Sequence, residues 1–148
     1  MKSRLIVTPN LCTGCRTCEL ACSFSHMVDG KPSRSRIYPL PDGHADSYVP
    51  VVCLHCDVPA CAMACLVDAI ARDEETGAMI LDNDRCVKCM GCIAACPFGC
   101  SLLDSEHDMI VKCDLCDGDP ICAKFCPTKA LTSRPVELTP RKKLVESG

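Results

Sequence analysis

The stretch Asp84-Arg85-Cys86-Val87-Lys88-Cys89-Met90-Gly91-Cys92-Ile93-Ala94-Ala95-Cys96-Pro97 decides how this chain is read. Three cysteines stand at two-residue gaps, a fourth follows after three more residues, and a proline comes next. The same grammar recurs three times. Cys12-x2-Cys15-x2-Cys18-x3-Cys22 has identical spacing, Cys53-x2-Cys56-x4-Cys61-x3-Cys65 widens one gap by two residues, and Cys113-x2-Cys116-x5-Cys122-x3-Cys126, followed by Pro127, widens it by three. Sixteen of the seventeen cysteines fall into these four motifs.

The first and third motifs match the spacing of bacterial two-cluster ferredoxins. Three thiolates on a tight loop grip three irons of one cube. The fourth lies about one helical turn further on, points away, and ligates the cube of a partner motif. Motifs therefore work in pairs, and four motifs predict four [4Fe–4S] clusters with all sixteen cysteines as ligands. Gly14 and Gly91, inside the loops, permit backbone angles that other residues resist and leave amides free to bond sulfur. Zinc sites use two cysteine pairs separated by a finger rather than three cysteines at two-residue gaps. No CxxC is followed by His, which removes c-type haem. The Cys-x3-Cys-x2-Cys spacing of radical enzymes that cleave S-adenosylmethionine is absent as well.

Composition agrees. Of 148 residues, 48% are hydrophobic, but 17 of these are cysteine, and the chain has no Trp, three Phe and two Tyr. A core built around something other than bulky side chains is expected. The formal charge is −3 and no basic stripe is interleaved with aromatics, which argues against nucleic acid. Four clusters of about −2 each would carry −3 to about −11, a field that favours a basic docking surface on a partner. The N-terminal apolar run, Leu5-Ile6-Val7, is far short of a signal-peptide core, no twin-arginine pair stands there, and no stretch approaches the ~20 apolar residues of a membrane helix. The expectation is a cytoplasmic protein with reduced thiols and no direct membrane insertion. Export bound to a partner with its own signal stays open.

Leu5-Ile6-Val7 reads as a short strand before the first motif. Ala69–Arg72, a turn through Gly77 and Ala78–Leu81 read as a hairpin, and Ser101–Leu103 with Met109–Val111 as a second. Residues 23–52, rich in Pro, Gly, Ser and Asp, are expected to be an irregular insertion, and residues 135–148 a polar tail containing Arg141-Lys142-Lys143. The predicted fold class is α+β: tandem ferredoxin-like dicluster units, with hairpins and short helices around the clusters.

The second motif, Cys53-Leu-His-Cys-Asp-Val-Pro-Ala-Cys61, resembles the Cys-x-His-Cys-x-x-Pro-x-Cys segment of four-cluster electron-transfer subunits. Asp84–Gly99, Lys112-Cys-Asp-Leu-Cys116 and Cys126-Pro-Thr-Lys-Ala130 resemble their third and fourth motifs. The similarity covers roughly residues 4–132. Such subunits serve molybdenum and tungsten pterin enzymes of the dimethyl-sulfoxide reductase, formate dehydrogenase and aldehyde oxidoreductase types, and some nickel hydrogenases. The chain's shortness, Cys18-Glu-Leu-Ala-Cys-Ser-Phe-Ser-His26 and Pro32-Ser-Arg-Ser-Arg-Ile37 look like the compact cytosolic members, which accompany tungsten aldehyde-oxidoreductase-type enzymes or carbon-monoxide dehydrogenase and its hydrogenase. The tungsten group is the reading preferred here.

The resemblance implies a pairing of first motif with fourth and second with third. One outer cluster takes Cys12, Cys15, Cys18 and Cys126, and its mate Cys113, Cys116, Cys122 and Cys22. The inner clusters take Cys53, Cys56, Cys61 with Cys96, and Cys86, Cys89, Cys92 with Cys65. Sequence distance alone agrees for the inner pair, whose motifs are nearly contiguous, and leaves the outer pair open. The expected organisation is therefore an outer unit of 1–22 and 101–134, the insertion 23–52, an inner unit of 53–100 and the tail 135–148. Ser23 and Leu66 stand where proline is common after the fourth cysteine, and the fourth motif has a shorter central gap than many relatives. These departures bear on loop shape and remove no ligand.

Four other features invite a role. Cys100, four residues after Cys96, reads as a small buried hydrophobe that would share a helix face with it, with an alternative ligand as the rival. His55 either tunes a cluster or fills its loop. His26 and His44 read as surface residues, and Arg34 and Arg36 as part of a solvated loop. No residue is assigned bond-making catalysis, so the chain is not expected to be an enzyme on its own. The expected function is an electron-transfer subunit relaying single electrons between a catalytic oxidoreductase subunit and a ferredoxin or other redox carrier. A free polyferredoxin would share every ligand but lack an apolar docking patch. A cluster-based sensor would need an effector domain for which no residues remain, and a maturation factor an open site.

Overall fold

The computed structural model describes residues 2–136. Among these residues four antiparallel strand pairs and four short helices share the chain, an α+β arrangement. Strand β1 (Ser3–Val7) pairs not with a neighbour in sequence but with the last strand, β8 (Leu131–Pro135), so that Ser3 faces Pro135 and Val7 faces Leu131. The amide of Val136 continues the tie by donating to Lys2 O at 2.8 Å. Residues 135 and 136 thus belong to the fold rather than to a tail. The remainder of the expected tail lies outside the described residues.

Both predicted hairpins form, as β4 (Ile70–Arg72) with β5 (Met79–Leu81) and β6 (Ser101–Asp104) with β7 (Met109–Lys112). Segment 23–52 is not irregular throughout. It holds a further hairpin, β2 (Tyr38–Pro41) with β3 (Tyr48–Val51), in which Pro39 faces Pro50. Prolines that read as loop signals are tolerated because a two-stranded ribbon has only edge strands. Its turn is held by the Asp42 carboxylate, which accepts from the His44 amide at 3.0 Å and the Ser47 hydroxyl at 2.6 Å.

Each helix begins one residue before the third cysteine of a motif: α1 (Thr17–Ser25), α2 (Ala60–Met63), α3 (Gly91–Ala95) and α4 (Ile121–Phe125). Helices this short do not stand alone in water, so packing must hold them. Helix α1 packs on α4, and α2 on α3. Two groups of buried residues result. One joins Cys18, Cys22, Ile37, Cys122, Cys126 and Leu131. The other joins Cys61, Ile70, Met79, Cys92 and Ile110. Hairpin β6–β7 contributes Leu103 and Ile110 to this second core, and β7 packs on β5. Across the boundary expected at residue 100, Ile110 is thus buried with residues of the 53–100 segment. Eight of the twenty buried apolar residues are cysteines, as expected of a core that is not built from bulky side chains. No helix among the described residues is long and apolar enough to cross a membrane.

Candidate metal centres

All seventeen cysteines are free thiols. Cys12, Cys15 and Cys18 line one cavity together with Cys126. A second cavity is lined by Cys113, Cys116, Cys122 and Cys22. A third is lined by Cys53, Cys56, Cys61 and Cys96, with Cys100 and Lys112 beside them. Each cavity combines three cysteines of one motif with the fourth cysteine of another, and strands β1–β8 and helices α1–α4 bring the distant outer motifs together. Of the remaining cysteines, Cys92 lies in α3 and Cys65 follows α2, and these two helices pack together: a side chain at Gly91 would meet Ala64 O at 3.4 Å and Cys89 Sγ at 3.6 Å.

The loops repeat a backbone conformation that the residue types conceal. The second residue after the first cysteine of every motif has a left-handed φ: +71° at Gly14, +49° at His55, +57° at Lys88 and +58° at Leu115. Only the first is glycine. There a Cβ would come within 2.7 Å of the Tyr48 ring, so space as well as φ requires Gly14. Gly91 has no such φ and starts α3, while Met90 before it takes +61°, as Arg16 takes +63° in the first motif. The left-handed turn directs amides at sulfur. His55 N–H donates to Cys53 Sγ and Lys88 N–H to Cys86 Sγ, both at 3.4 Å.

Amides also converge on the fourth cysteines. Ala69 N–H donates to Cys65 Sγ at 3.2 Å and Cys100 N–H to Cys96 Sγ at 3.4 Å. In both motifs the third residue after that cysteine, Asp68 or Gly99, makes the same left-handed turn, as does Lys129 after Cys126. Leu66 in place of proline therefore leaves the loop shape intact. Ser23 does not: α1 runs on to Ser25, and the amide on Cys22 Sγ comes instead from Arg36 at 3.3 Å, fourteen residues away. The Cys65 thiol is held below its ordinary pKa by the Ala69 amide. Burial pushes Cys22, Cys96 and Cys126 up, and hydrogen bonds outweigh it, with His26 foremost at Cys22 and backbone amides at the others, so all three are lowered. Burial dominates at Cys18, Cys92 and Cys122, pushing all three up, Cys18 to about 11 and Cys122 to about 12. A metal must displace those protons, so loading releases protons and is pH-dependent.

His26 is not a surface residue. Its Nε2 lies 3.1 Å from the Asp114 carboxylate and its Nδ1 2.8 Å from Cys22 O. The Asp114 carboxylate pushes His26 up to about 10. His44 is exposed, as expected. Arg36 is buried and donates to Ser33 Oγ and Arg34 O, whereas the exposed Arg34 donates to Leu103 O at 2.7 Å. The Asp104 carboxylate accepts from Ser33 Oγ at 2.8 Å and the Arg34 amide at 2.9 Å and meets His107 Nδ1 at 2.9 Å, clamping the segment before β2 onto β6. His55 is buried, and its Nδ1 accepts the Met79 amide at 2.9 Å, which assigns the ring proton to Nε2. Burial first, then the Lys112 and Arg72 charges, push it down to about 4. Cys100 is 2% exposed and donates to Phe98 O, but it shares no helix with Cys96, since α3 ends at Ala95. Residue-by-residue reading passed over Lys112, whose buried Nζ lies 3.0 Å from Cys53 Sγ. Its place at the head of the Lys112-Cys-Asp-Leu-Cys116 segment, just after a predicted strand, was the signal available for it.

Four-thiol cavities with amide donors turned toward sulfur suit iron–sulfur clusters better than disulfides, which need paired sulfurs, or zinc fingers. Comparison with known proteins agrees. A family model described as "4Fe-4S dicluster domain" matches residues 45–135, and one described as "4Fe-4S binding domain" matches residues 9–25. The chain is 36% identical over 124 residues to the "Aliphatic sulfonate oxidoreductase, polyferredoxin-like subunit" of Pyrococcus furiosus, covering 82% of this chain and 70% of that one. It is 38% identical over 156 residues to the "Putative electron transport protein YsaA" of Escherichia coli, covering 97% of each. Among solved structures, a chain of the "Active site complex BamBC of Benzoyl Coenzyme A reductase as isolated" aligns with a TM-score of 0.51 and 27% identity over 97% of this chain and 84% of that one. The chain belongs to the 4Fe–4S dicluster family of iron–sulfur proteins and is homologous to the polyferredoxin-like subunit of an oxidoreductase.

Proposed function

We propose that this protein is the electron-transfer subunit of an oxidoreductase complex, holding four [4Fe–4S] clusters on its sixteen motif cysteines and relaying single electrons between a tungsten or molybdenum pterin enzyme and a low-potential carrier such as a ferredoxin. The observation that carries the reading is the set of three cavities, each lined by three cysteines of one motif and the fourth of its expected mate. When bound, the clusters supply reversible one-electron chemistry. The chain's own part is position and electrostatics. Cys12, Cys15, Cys18 and Cys126, and the three corresponding sets, would hold the clusters. The amides of Arg36, His55, Ala69, Lys88 and Cys100 donate to ligand sulfurs and so disperse their charge. Ile37, Leu115 and Leu131, all fully buried, keep water from the outer side.

The pterin partner rests on the motifs that resemble such subunits, and tungsten on the compact segment from Cys18 to Ile37. A subunit is favoured over a freely diffusing polyferredoxin by Leu54, Val58 and Phe98, which line the rim of the Cys53 cavity and are 56%, 69% and 48% exposed. Apolar side chains grouped this way mark a contact surface. The test is elemental analysis of the complex that co-purifies natively with the chain under strict anaerobiosis. About sixteen irons per chain with tungsten or molybdenum is the expected result. Nickel would move the partner to a hydrogenase or carbon-monoxide dehydrogenase system, iron on an isolated chain would favour the free carrier, and zinc in place of iron would refute cluster binding.

A further inference from the structure

The four sets of cysteines do not sit in equivalent fields. Lys112, the last residue of β7, is 7% exposed and points its Nζ at Cys53 Sγ, 3.0 Å away. It lines the same cavity as Cys53, Cys56, Cys61 and Cys96 and takes part in no salt bridge with any described residue. At the outer thiols, His26 beside Cys22 is matched by the Asp114 carboxylate at 3.1 Å, so its charge is offset within the pair, and the buried Arg36 guanidinium that lines the same cavity donates to Ser33 Oγ and Arg34 O rather than to sulfur. The exposed lysines Lys88 and Lys124 are each spent on an aspartate, Asp108 and Asp119. One cavity therefore contains a buried ammonium whose hydrogen bond goes to a ligand sulfur, and no cation is placed in that way at the other cysteines among the described residues.

Adding one electron to a cluster with four thiolates makes its net charge more negative by one, from about −2 to about −3. An ammonium held against a ligand thiolate, away from solvent screening, stabilises the more negative state more strongly. Resting on the cluster reading above, we infer that Lys112 tunes the Cys53–Cys56–Cys61–Cys96 cluster to be the most easily reduced of the four, so that an electron entering the chain rests in that cavity. The exposed rim of Leu54, Val58 and Phe98 borders the same cavity, so the resting place lies beneath the apolar contact surface. Lys112 is a positioning residue here: it acts on the potential through Cys53 and exchanges no electron itself.

The test is a reductive titration of the anaerobic holoprotein with dithionite as electron donor, followed by electron paramagnetic resonance, for the unsubstituted chain, Lys112→Met and Lys112→Arg. The signal that appears first in the unsubstituted chain should move to lower potential in Lys112→Met, the other signals should stay, and Lys112→Arg should restore much of the shift. A structural role alone would change melting or iron content without this selective movement. Equal iron in all three proteins with unmoved potentials overturns the inference and leaves the cluster reading standing. Iron missing from the unsubstituted chain overturns both. Should Lys112→Met fail to assemble, the unsubstituted protein grown with [ε-15N]lysine decides: a 15N coupling on the first-reduced signal is expected, and its absence from that signal refutes the role.

Discussion

The two halves of the molecule bring cysteines of different motifs together by different means. The inner half is local: the second and third motifs are separated by twenty residues between Cys65 and Cys86, hairpin β4–β5 fills that gap, and nearby amides four residues downstream bond Cys65 and Cys96. The outer half is assembled from the chain's two ends, with β1 against β8, α1 against α4, and an amide fourteen residues distant on Cys22. The inner half depends on local turns that form at low entropic cost, whereas the outer half depends on closing nearly the whole chain. Their electrostatics differ in the same direction. A buried ammonium stands on Cys53, and a neutralised His26–Asp114 pair stands by Cys22.

The largest expected effect separates the halves outright. Leu131→Asp puts a carboxylate into the outer core, where Leu131 is 1% exposed, and Ile110→Asp does the same to the inner core. Each costs several kcal/mol locally. Leu131→Asp should reduce iron from about sixteen atoms to about eight while leaving the inner signals, and Ile110→Asp should do the reverse. Loss of all clusters in both would show that the halves fold as one unit.

A smaller effect is expected at the first loop. Gly14→Ala meets both a left-handed φ and the Tyr48 ring, whereas His55, Lys88 and Leu115 carry side chains at the equivalent positions. The backbone part is about 1–2 kcal/mol, and the ring contact adds to it. Thermal unfolding should show the cost falling when Tyr48→Ala is combined with Gly14→Ala, and an undiminished cost would make φ the whole reason.

The smallest effect concerns the clamp between the segment before β2 and β6. Burial pushes the Asp104 carboxyl up, and the Arg34 amide, His107 and Ser33 outweigh it, holding it well below the carboxylate range. Because the folded value is depressed, its stabilisation is fully present above the unfolded value near 3.8 and is lost as pH falls below it. Asp104→Asn should lower stability by about 1 kcal/mol at neutral pH. Melting curves should show that deficit constant from pH 7 to about 5 and shrinking below about 4.

Much of the site was legible in the residues. Cysteine spacing is written in the chain itself, and both hairpins and the strand at Leu5–Val7 follow from short apolar runs and turn residues, which are local signals. Strand β8 was missed because only Leu131 of its five residues is buried, so no alternation marks it. Hairpin β2–β3 was hidden by prolines that a two-stranded ribbon tolerates. His26 and Arg36 read as surface residues because their partners, Asp114 and the loop at Ser33, are not marked by any spacing in the chain.

The sequence by itself determined the cysteine inventory, because the number and spacing of thiols are covalent facts of the chain. It also led to the expectation that motifs pair, since a cysteine one helical turn beyond its loop points away from the first three. Tertiary structure decided which motifs meet at the outer end, which amides reach which sulfurs, and where a charge is left uncompensated. Those depend on side chains from distant segments sharing a low-dielectric space, and no local pattern encodes the distance between Lys112 Nζ and Cys53 Sγ.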